Sequence, residues 1–291
     1  MTQPLRRPGA TDIAALRRLI GLRERQPTSA SLSATASATA AAHPSAARVA
    51  RAVMPLDRAL PGQTLTPGLQ LIEDFLPQPL PQGPLPLAFA RRPDESVEPE
   101  QLLFFDTETT GLAGGTGTRA FMIGAADWHQ HPQHGPGLRV RQLLISTLGA
   151  ETAMLDAFAD WLQPETVLCS FNGRSYDAPL LKTRFRLARR PDPISALDHV
   201  DLLHPARRRY RGRWENCRLA TLERQLLQIH RDDDLPGSQA PAAWLDYLRG
   251  GSARNLRRVG EHNHQDVVTL AKLFGHLLEE DSSESDQVSA G

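Results

Sequence analysis

The sequence predicts a mixed α/β fold: a five-stranded sheet, three antiparallel strands followed by parallel ones, with helices on both faces. Between residues 102 and 146, three apolar or alternating runs follow one another through hairpin-like connections. From residue 151 onward, helical and strand patterns alternate instead. A strand reached through a helix usually runs parallel to its predecessor.

Taken in order, LLFFD at 102–106 reads as a buried strand that ends in an acid. After a Gly-rich turn, AFMIGAA at 120–126 is the second strand, and the alternating LRVRQLLIS at 138–146 is the third. ETAMLDAFADWL at 151–162 is an amphipathic helix with Leu155, Phe158 and Leu162 on one stripe. TVLCSF at 166–171 is a short apolar strand, 178–190 is helical in composition, and a short strand follows around 199–202. Helices are expected at 219–229, 240–249 and 260–278. Ahead of these, DIAALRRLIGLRER at 12–25 reads as a basic amphipathic helix, N-capped by Thr11 and suited to docking on a protein partner. The small-residue tract after it cannot bury enough apolar area to fold. Residues 55–100, which include LPQPLPQGPLPL, read as extended or loosely packed. The expected division is an N-terminal region at 1–99, the α/β domain at 100–280 and a disordered acidic tail at 281–291.

Lys+Arg and Asp+Glu both number 33 in the 291-residue chain, so net charge names no polyanionic partner and local patches must decide. Cys169 and Cys217 are far apart and lack metal-ligand spacing, which fits a reducing compartment. No apolar run approaches a membrane span. The acid-poor, Arg- and Ala/Ser-rich N-terminus reads as a disordered tail on a cytoplasmic protein rather than an organellar transit peptide.

Three acidic sites carry the chemistry. Asp106 and Glu108 project to the same side of the first strand. Asp177, in SFNGRSYDAPLL, follows a strand that runs parallel to the first and opens the next helix, so it faces the crevice beyond the strand ends. Asp266, in EHNHQDVVTL, shares a helical face with His262, whereas His264 points away from that face. Carboxylates converging on one crevice repel each other unless something positive sits among them. Two divalent cations would neutralise them, and oxygen ligands favour Mg²⁺ or Mn²⁺. Such a pair suits in-line displacement at phosphorus.

These residues resemble a known family. DTETTG after a strand, FNGRSYDAPLL and HNHQDVVTL look like the three motifs of DEDD-type 3′–5′ exonucleases, which have the ribonuclease H-like fold. The longer spelling DTETTGLAGGTGTRAFMIG, with HVDLLHPARRRYR and CRLATLE, is similar to the bacterial YprB-type branch of predicted ribonuclease H-like nucleases. The resemblance spans roughly residues 100–278. It implies that Asp106 bridges both metals, that Glu108 and Asp266 complete one site, and that Asp177 supports the other. It implies a fifth residue that orients or deprotonates the attacking water. That residue is a Tyr four positions before the last Asp in one subgroup and a His five before in another. Here His262 stands four before Asp266, with the first subgroup's spacing and the second's side chain. The resemblance further implies DNA or RNA as substrate, with Thr107 and Asn172 as contacts.

Other residues carry two readings. Asn172 and Gly173 also simply build a turn, Tyr176 either packs or stacks on a base, and Asp201 reads as strand-end structure. Arg184, Arg186, Arg189 and Arg190 read as a solvated helix face or a phosphate track. Arg207, Arg208, Arg209, Arg211 and Arg213, with Tyr210 and Trp214 among them, read as a charged loop or as a nucleic-acid contact with stacking platforms. Five arginines in seven positions repel each other without an anionic partner, which favours the contact. The expected function is a two-metal nuclease. The alternative is a nucleic-acid-binding or scaffolding module of the same fold with little catalysis.

Overall fold

The computed structural model describes residues 56–111 and 117–289, with side chains to residue 283. The helix expected at 12–25 and the tract after it lie outside the described residues. In chain order the strands are β1 (Gln63–Thr66), β2 (Leu69–Pro77), β3 (Leu85–Leu87), β4 (Arg92–Val97), β5 (Leu102–Thr109), β6 (Ala120–His131), β7 (Gly135–Ile145), β8 (Val167–Ser170) and β9 (Asp198–Asp201). The helices are α1 (Glu151–Ala159), α2 (Asp177–Leu187), α3 (Leu203–Tyr210), α4 (Leu219–Gln225), α5 (Ala240–Leu248) and α6 (Arg254–Ser289).

Seven strands form one sheet in the order β1-β2-β7-β6-β5-β8-β9, and β3 pairs with β4 in a separate hairpin. Strands β5, β6 and β7 are antiparallel, and β8 and β9 run parallel to β5, as the pattern predicts. Two strands are additional. β2 pairs with β7 from Leu69↔Ile145 to Pro77↔Gly137, and β1 folds back on β2. The expected boundary near residue 100 therefore cuts through the sheet. In LQLIEDFLP the apolar residues fall at 69, 71, 72, 75 and 76, which breaks the period of two that marks a half-buried strand. The β3–β4 hairpin is also part of the folded body, burying Leu85, Leu87, Phe89 and Val97.

Each face of β5 meets its own core. Leu103 and Phe105 pack with Ile123, Leu143, Phe158 of α1 and Phe185 of α2. Leu102 and Phe104 pack with Trp128, Val140 and, from α6, Val267, Leu270 and Phe274. Helix α3 replaces an expected charged loop. Leu203, Ala206 and Tyr210 share its buried stripe, which leaves the arginines outside. Helix α6 begins at Arg254, ahead of the expected start, and continues to Ser289 over the segment expected as an acidic tail. No helix among the described residues is long and apolar enough to cross a membrane.

One buried ion cluster ties these layers together. Glu151 opens α1 and accepts Arg184 Nε at 2.6 Å and Nη2 at 2.7 Å, and it also accepts the Arg119 guanidinium. Arg184 is only 5% exposed, so it is a structural residue and not part of a phosphate track. Arg190 likewise pairs with Asp156 at 2.8 Å. Removing one partner of a buried pair strands a charge, whereas replacing both with apolar groups does not. Glu151→Ala is expected to lower unfolding stability by about 3–5 kcal/mol, and Glu151→Leu with Arg184→Met to recover most of that loss. Urea denaturation of the three proteins measures both effects.

Candidate metal centre at the end of the sheet

Alternation along β5 places Asp106 and Glu108 on the face of Phe104, at the strand's carboxyl end. Parallel β8 ends beside them at Ser170, and the turn after it delivers Asp177 as the first residue of α2. That turn is held from below. Asp201, at the end of β9, accepts the backbone N–H groups of Asn172 at 2.7 Å, Arg174 at 3.2 Å and Leu203 at 3.1 Å. Asn172 holds a left-handed φ of 70°, which suits its residue type. Gly173 leaves no room for a side chain, since a Cβ there would lie 2.4 Å from Ser170 Oγ. The Thr107 hydroxyl donates to Asp177 Oδ1, joining the end of β5 to the start of α2.

Helix α6 supplies the remaining groups. Asn263, fully buried, donates from Nδ2 to Asp106 Oδ2 at 3.0 Å. Its own carbonyl accepts Gln142 Nε2 at 2.9 Å, and Gln142 also donates to Gly260 O at 2.8 Å. Asp106, Gly124 and Gln142 are cross-strand neighbours on β5, β6 and β7. A Cβ on Gly124 would lie 2.0 Å from Asn263 Oδ1, so the glycine in AFMIGAA is the gap into which this amide fits. His262 Nε2 is 3.6 Å from Asp266 Oδ2, and its Nδ1 is 2.8 Å from Asp234 Oδ1. Nδ1 thus faces both Asp234 and the Arg231 guanidinium, 3.0 Å away, while Nε2 lies on the side of Asp266. His264 turns the other way, to Asp74 at 3.0 Å.

Burial and like charge together hold the acids of the centre toward their neutral forms. Burial, then Asp266, Asp177 and Glu108, hold Asp106 well above the usual carboxylate range. Burial, then Asp266 and Asp177, do the same to Glu108, which is 7% exposed. Burial pushes Asp177 up to about 6 against the pull of the Thr107 hydroxyl. One cation already stands in this field. Arg231 is gripped by the two oxygens of Glu223 at 2.8 and 2.6 Å, and its guanidinium reaches Asp266 and lies 3.0 Å from His262 Nδ1. Glu223 is 1% exposed and also accepts the Thr269 hydroxyl. Asp266 thus has a half-buried arginine as its partner. Arg231 lies outside the motifs and Asn263 stands within HNHQDVVTL, yet neither was legible as functional in the sequence.

The donor set fits a divalent ion. Glu108, His262 and Asp266 each present a ligand atom within 4.8 Å of one another. Asp106 and Asp177, on either side, add hard oxygen donors that suit Mg²⁺ or Mn²⁺. Beside the acids opens a cavity of about 450 Å³, lined among others by Thr107, Thr109, Asn172, Tyr176 and Asp177. Tyr176 is 63% exposed there, so its ring is not packed in the core. The arginines at 207–211 are not part of this lining. Tyr210 is buried, with Trp214 stacked on it at 5.4 Å, so Tyr210 is not an open stacking platform.

A mixed sheet of this order, with acids at the ends of its central strands, is a ribonuclease H-like fold. The chain belongs to the RNase_H superfamily, whose family model matches residues 103–278. It is 36% identical over 185 residues to the uncharacterized protein YprB of Bacillus subtilis. That alignment covers 63% of this chain and 43% of the relative, so the chain spans less than half of that protein's length. Among solved structures, the family B DNA polymerase of Pyrobaculum calidifontis superposes with a TM-score of 0.46 at 15% identity, over 60% of this chain and 24% of that one. E. coli Exonuclease I in complex with a dT13 oligonucleotide gives 0.35 at 17% identity, over 54% and 42%.

Gly124→Ala must displace the buried Asn263 amide and is expected to cost about 1–3 kcal/mol, read as a lower urea midpoint. The titration of Asp177 has a definite sign. Its folded pKa of about 6 lies above the ordinary 3.8, so the folded state holds the proton more tightly than the unfolded chain. Its contribution to stability is complete below about 3.8 and is lost as pH rises through about 6. In chelator, the melting temperature is therefore expected to be higher at pH 5 than at pH 7.5, and Mg²⁺ or Mn²⁺ to restore stability at the higher pH. Calorimetric melts of the wild type and Asp177→Asn check this, with a smaller pH effect in the variant.

Proposed function

We propose that the protein is a metal-dependent nuclease, a 3′–5′ exonuclease that hydrolyses phosphodiester bonds of DNA or RNA by a two-metal mechanism. The observation that carries this reading is the mutual pressure of Asp106, Glu108, Asp177 and Asp266 at one end of the sheet. A fold does not gather buried like charges without a counter-ion, and phosphate binding beside bare carboxylates would be repelled. Asp106, Glu108 and Asp266 would hold one ion, and Asp106 with Asp177 the other. When bound, such a pair polarises the phosphoryl group and stabilises the charge that develops on the attacking and leaving oxygens.

The chain's own residues do the rest. His262 directs Nε2 toward the acids and takes the proton of the attacking water as its oxygen bonds to phosphorus. Asp234 orients the imidazole through its contact with Nδ1. The bond from phosphorus to the 3′-oxygen of the preceding nucleotide breaks, which releases a nucleoside 5′-monophosphate. Thr107 and Asn172 line the path of the sugar–phosphate backbone, and Tyr176 offers a free ring face to the terminal base. A cavity of about 450 Å³ falls within the range of small-molecule sites. It has room for a terminal nucleotide.

A second reading draws on Arg231, which already neutralises part of Asp266. In a binding module of the same fold, that internal cation would stand in place of catalytic metal. One experiment separates the two. A 5′-labelled oligonucleotide, as DNA and as RNA, is incubated with Mg²⁺ or Mn²⁺ and either wild type, Asp106→Ala or Asp266→Ala. Wild type is expected to shorten it stepwise, and each variant to lose at least a hundredfold in rate, about 2.7 kcal/mol. The variants relieve repulsion, so their melting temperatures in chelator should not fall. Wild type that neither binds the ions in calorimetry nor shortens any strand supports the module instead.

A further inference from the structure

The arginines of α3 gather at the far end of the sheet from the acids. Leu102, Val167 and Asp198 align where β5, β8 and β9 begin, and Arg92 of β4 pairs with Asp198 there at 2.6 Å. Arg209 pairs with Glu280 at 3.4 Å, and the Tyr210 hydroxyl donates to the same carboxylate. Glu280 follows Asp266 by fourteen residues on α6. At about 1.5 Å per residue, that is roughly 21 Å along the helix.

At this end the turn between β3 and β4 meets α3. Arg208 Nη2 donates to Phe89 O at 2.7 Å, which brings Arg91 beside the helix. Arg91, His204, Arg207, Arg208 and Arg211 line an open concavity of about 620 Å³. Its lining includes neither an acid nor an apolar side chain. Arg91, Arg207 and Arg211 are exposed, and no carboxylate among the described residues pairs with them. Burial, then the neighbouring cations Arg91 and Arg209, lower the pKa of Arg208. Unpaired cations pressed together from two separate elements are relieved by a bound polyanion.

We propose that this concavity is a second nucleic-acid contact, where guanidinium groups of the β3–β4 turn and α3 hold backbone phosphates of a single strand that extends beyond the acid crevice. The identity of the anion rests on the nuclease reading. Guanidinium forks match phosphate oxygens two at a time. A protein partner would require apolar anchors that the lining lacks. The separation of roughly 21 Å corresponds to about six nucleotides of a strand stacked as in a duplex, at about 3.4 Å each. A strand that reaches both places therefore gains affinity over one that fills only the crevice.

The test compares wild type with Arg91→Gln/Arg207→Gln/Arg211→Gln, and with the charge reversal Arg207→Glu/Arg211→Glu as a second variant. Fluorescence anisotropy with Ca²⁺, a hard cation that takes the same oxygen ligands, follows binding of labelled phosphorothioate oligothymidylates of 4 and 20 nucleotides and their uridylate counterparts across salt concentrations, with circular dichroism verifying the fold. The 20-mer is expected to lose at least tenfold in affinity in both variants. In the triple variant its log–log salt slope is expected to become shallower by about 2, from three lost contacts at about 0.7 each. The 4-mer is expected to bind wild type and variants alike. Unchanged affinity and slope for the 20-mer overturn the proposal. So does an equal loss for both lengths, which would put these arginines in the crevice, or binding of oligoglutamate as tight as the 20-mer, which would make the surface a dock for acidic protein. Strand shortening by a protein whose 20-mer binding ignores the arginines overturns this contact alone. Arginine-dependent length discrimination without shortening overturns the nuclease reading alone.

Discussion

Mutual repulsion among carboxylates at the end of β5 is the constraint to which the rest of the centre answers. Asp106 and Glu108 are fixed by the strand's alternation and cannot turn apart. Asp177 and Asp266 arrive from two helices and add to the same field. Hydrogen-bond donors are placed against this negative charge. The Asn263 amide meets Asp106, the Thr107 hydroxyl meets Asp177, and the Arg231 guanidinium meets Asp266. Each donor is itself anchored or carried by rigid structure: Asn263 by Gln142, Thr107 by β5, and Arg231 by buried Glu223. The acids are preorganised and not merely adjacent, which limits the reorganisation that ligand binding must drive.

Space for these donors comes from what two glycines lack. Gly124 sits between Asp106 and Gln142 across three strands, and the amide of α6 occupies the volume a side chain would fill. Gly173 lets the chain turn tightly over Ser170 so that α2 starts with its carboxylate at the crevice. Asp201 was read as strand-end structure, and three backbone N–H groups around its carboxylate make it the support of that turn. It shapes the site through the backbone, and its charge adds to the upward shift of Asp177.

The central strands and the acids were legible because each is local. Alternation in β5 to β7, the β8–turn–α2 sequence and the four-residue step from His262 to Asp266 all follow from short-range periods. What the sequence withheld is long-range. Arg231 lies in a segment without regular pattern, and its meaning comes from Glu223, Asp266 and His262, which chain distance hides. Asn263 is visible in HNHQDVVTL, yet only Gly124 opposite Asp106 reveals its task. Helix α3 was missed because its arginines dominate the composition, although its three buried positions follow helical spacing. Strands β1 and β2 were hidden by flanking prolines and by an irregular apolar pattern, so only β7 explains them.

The family match starts at residue 103, while β2 pairs along β7 from Leu69 to Pro77. A fragment trimmed to the matched span would strip β7 of its β2 neighbour and leave a row of main-chain amides and carbonyls open along a long, largely apolar strand. Such an edge recruits copies of itself. Strand β2 is therefore what keeps this edge paired within the chain, a task invisible to any boundary drawn from motifs.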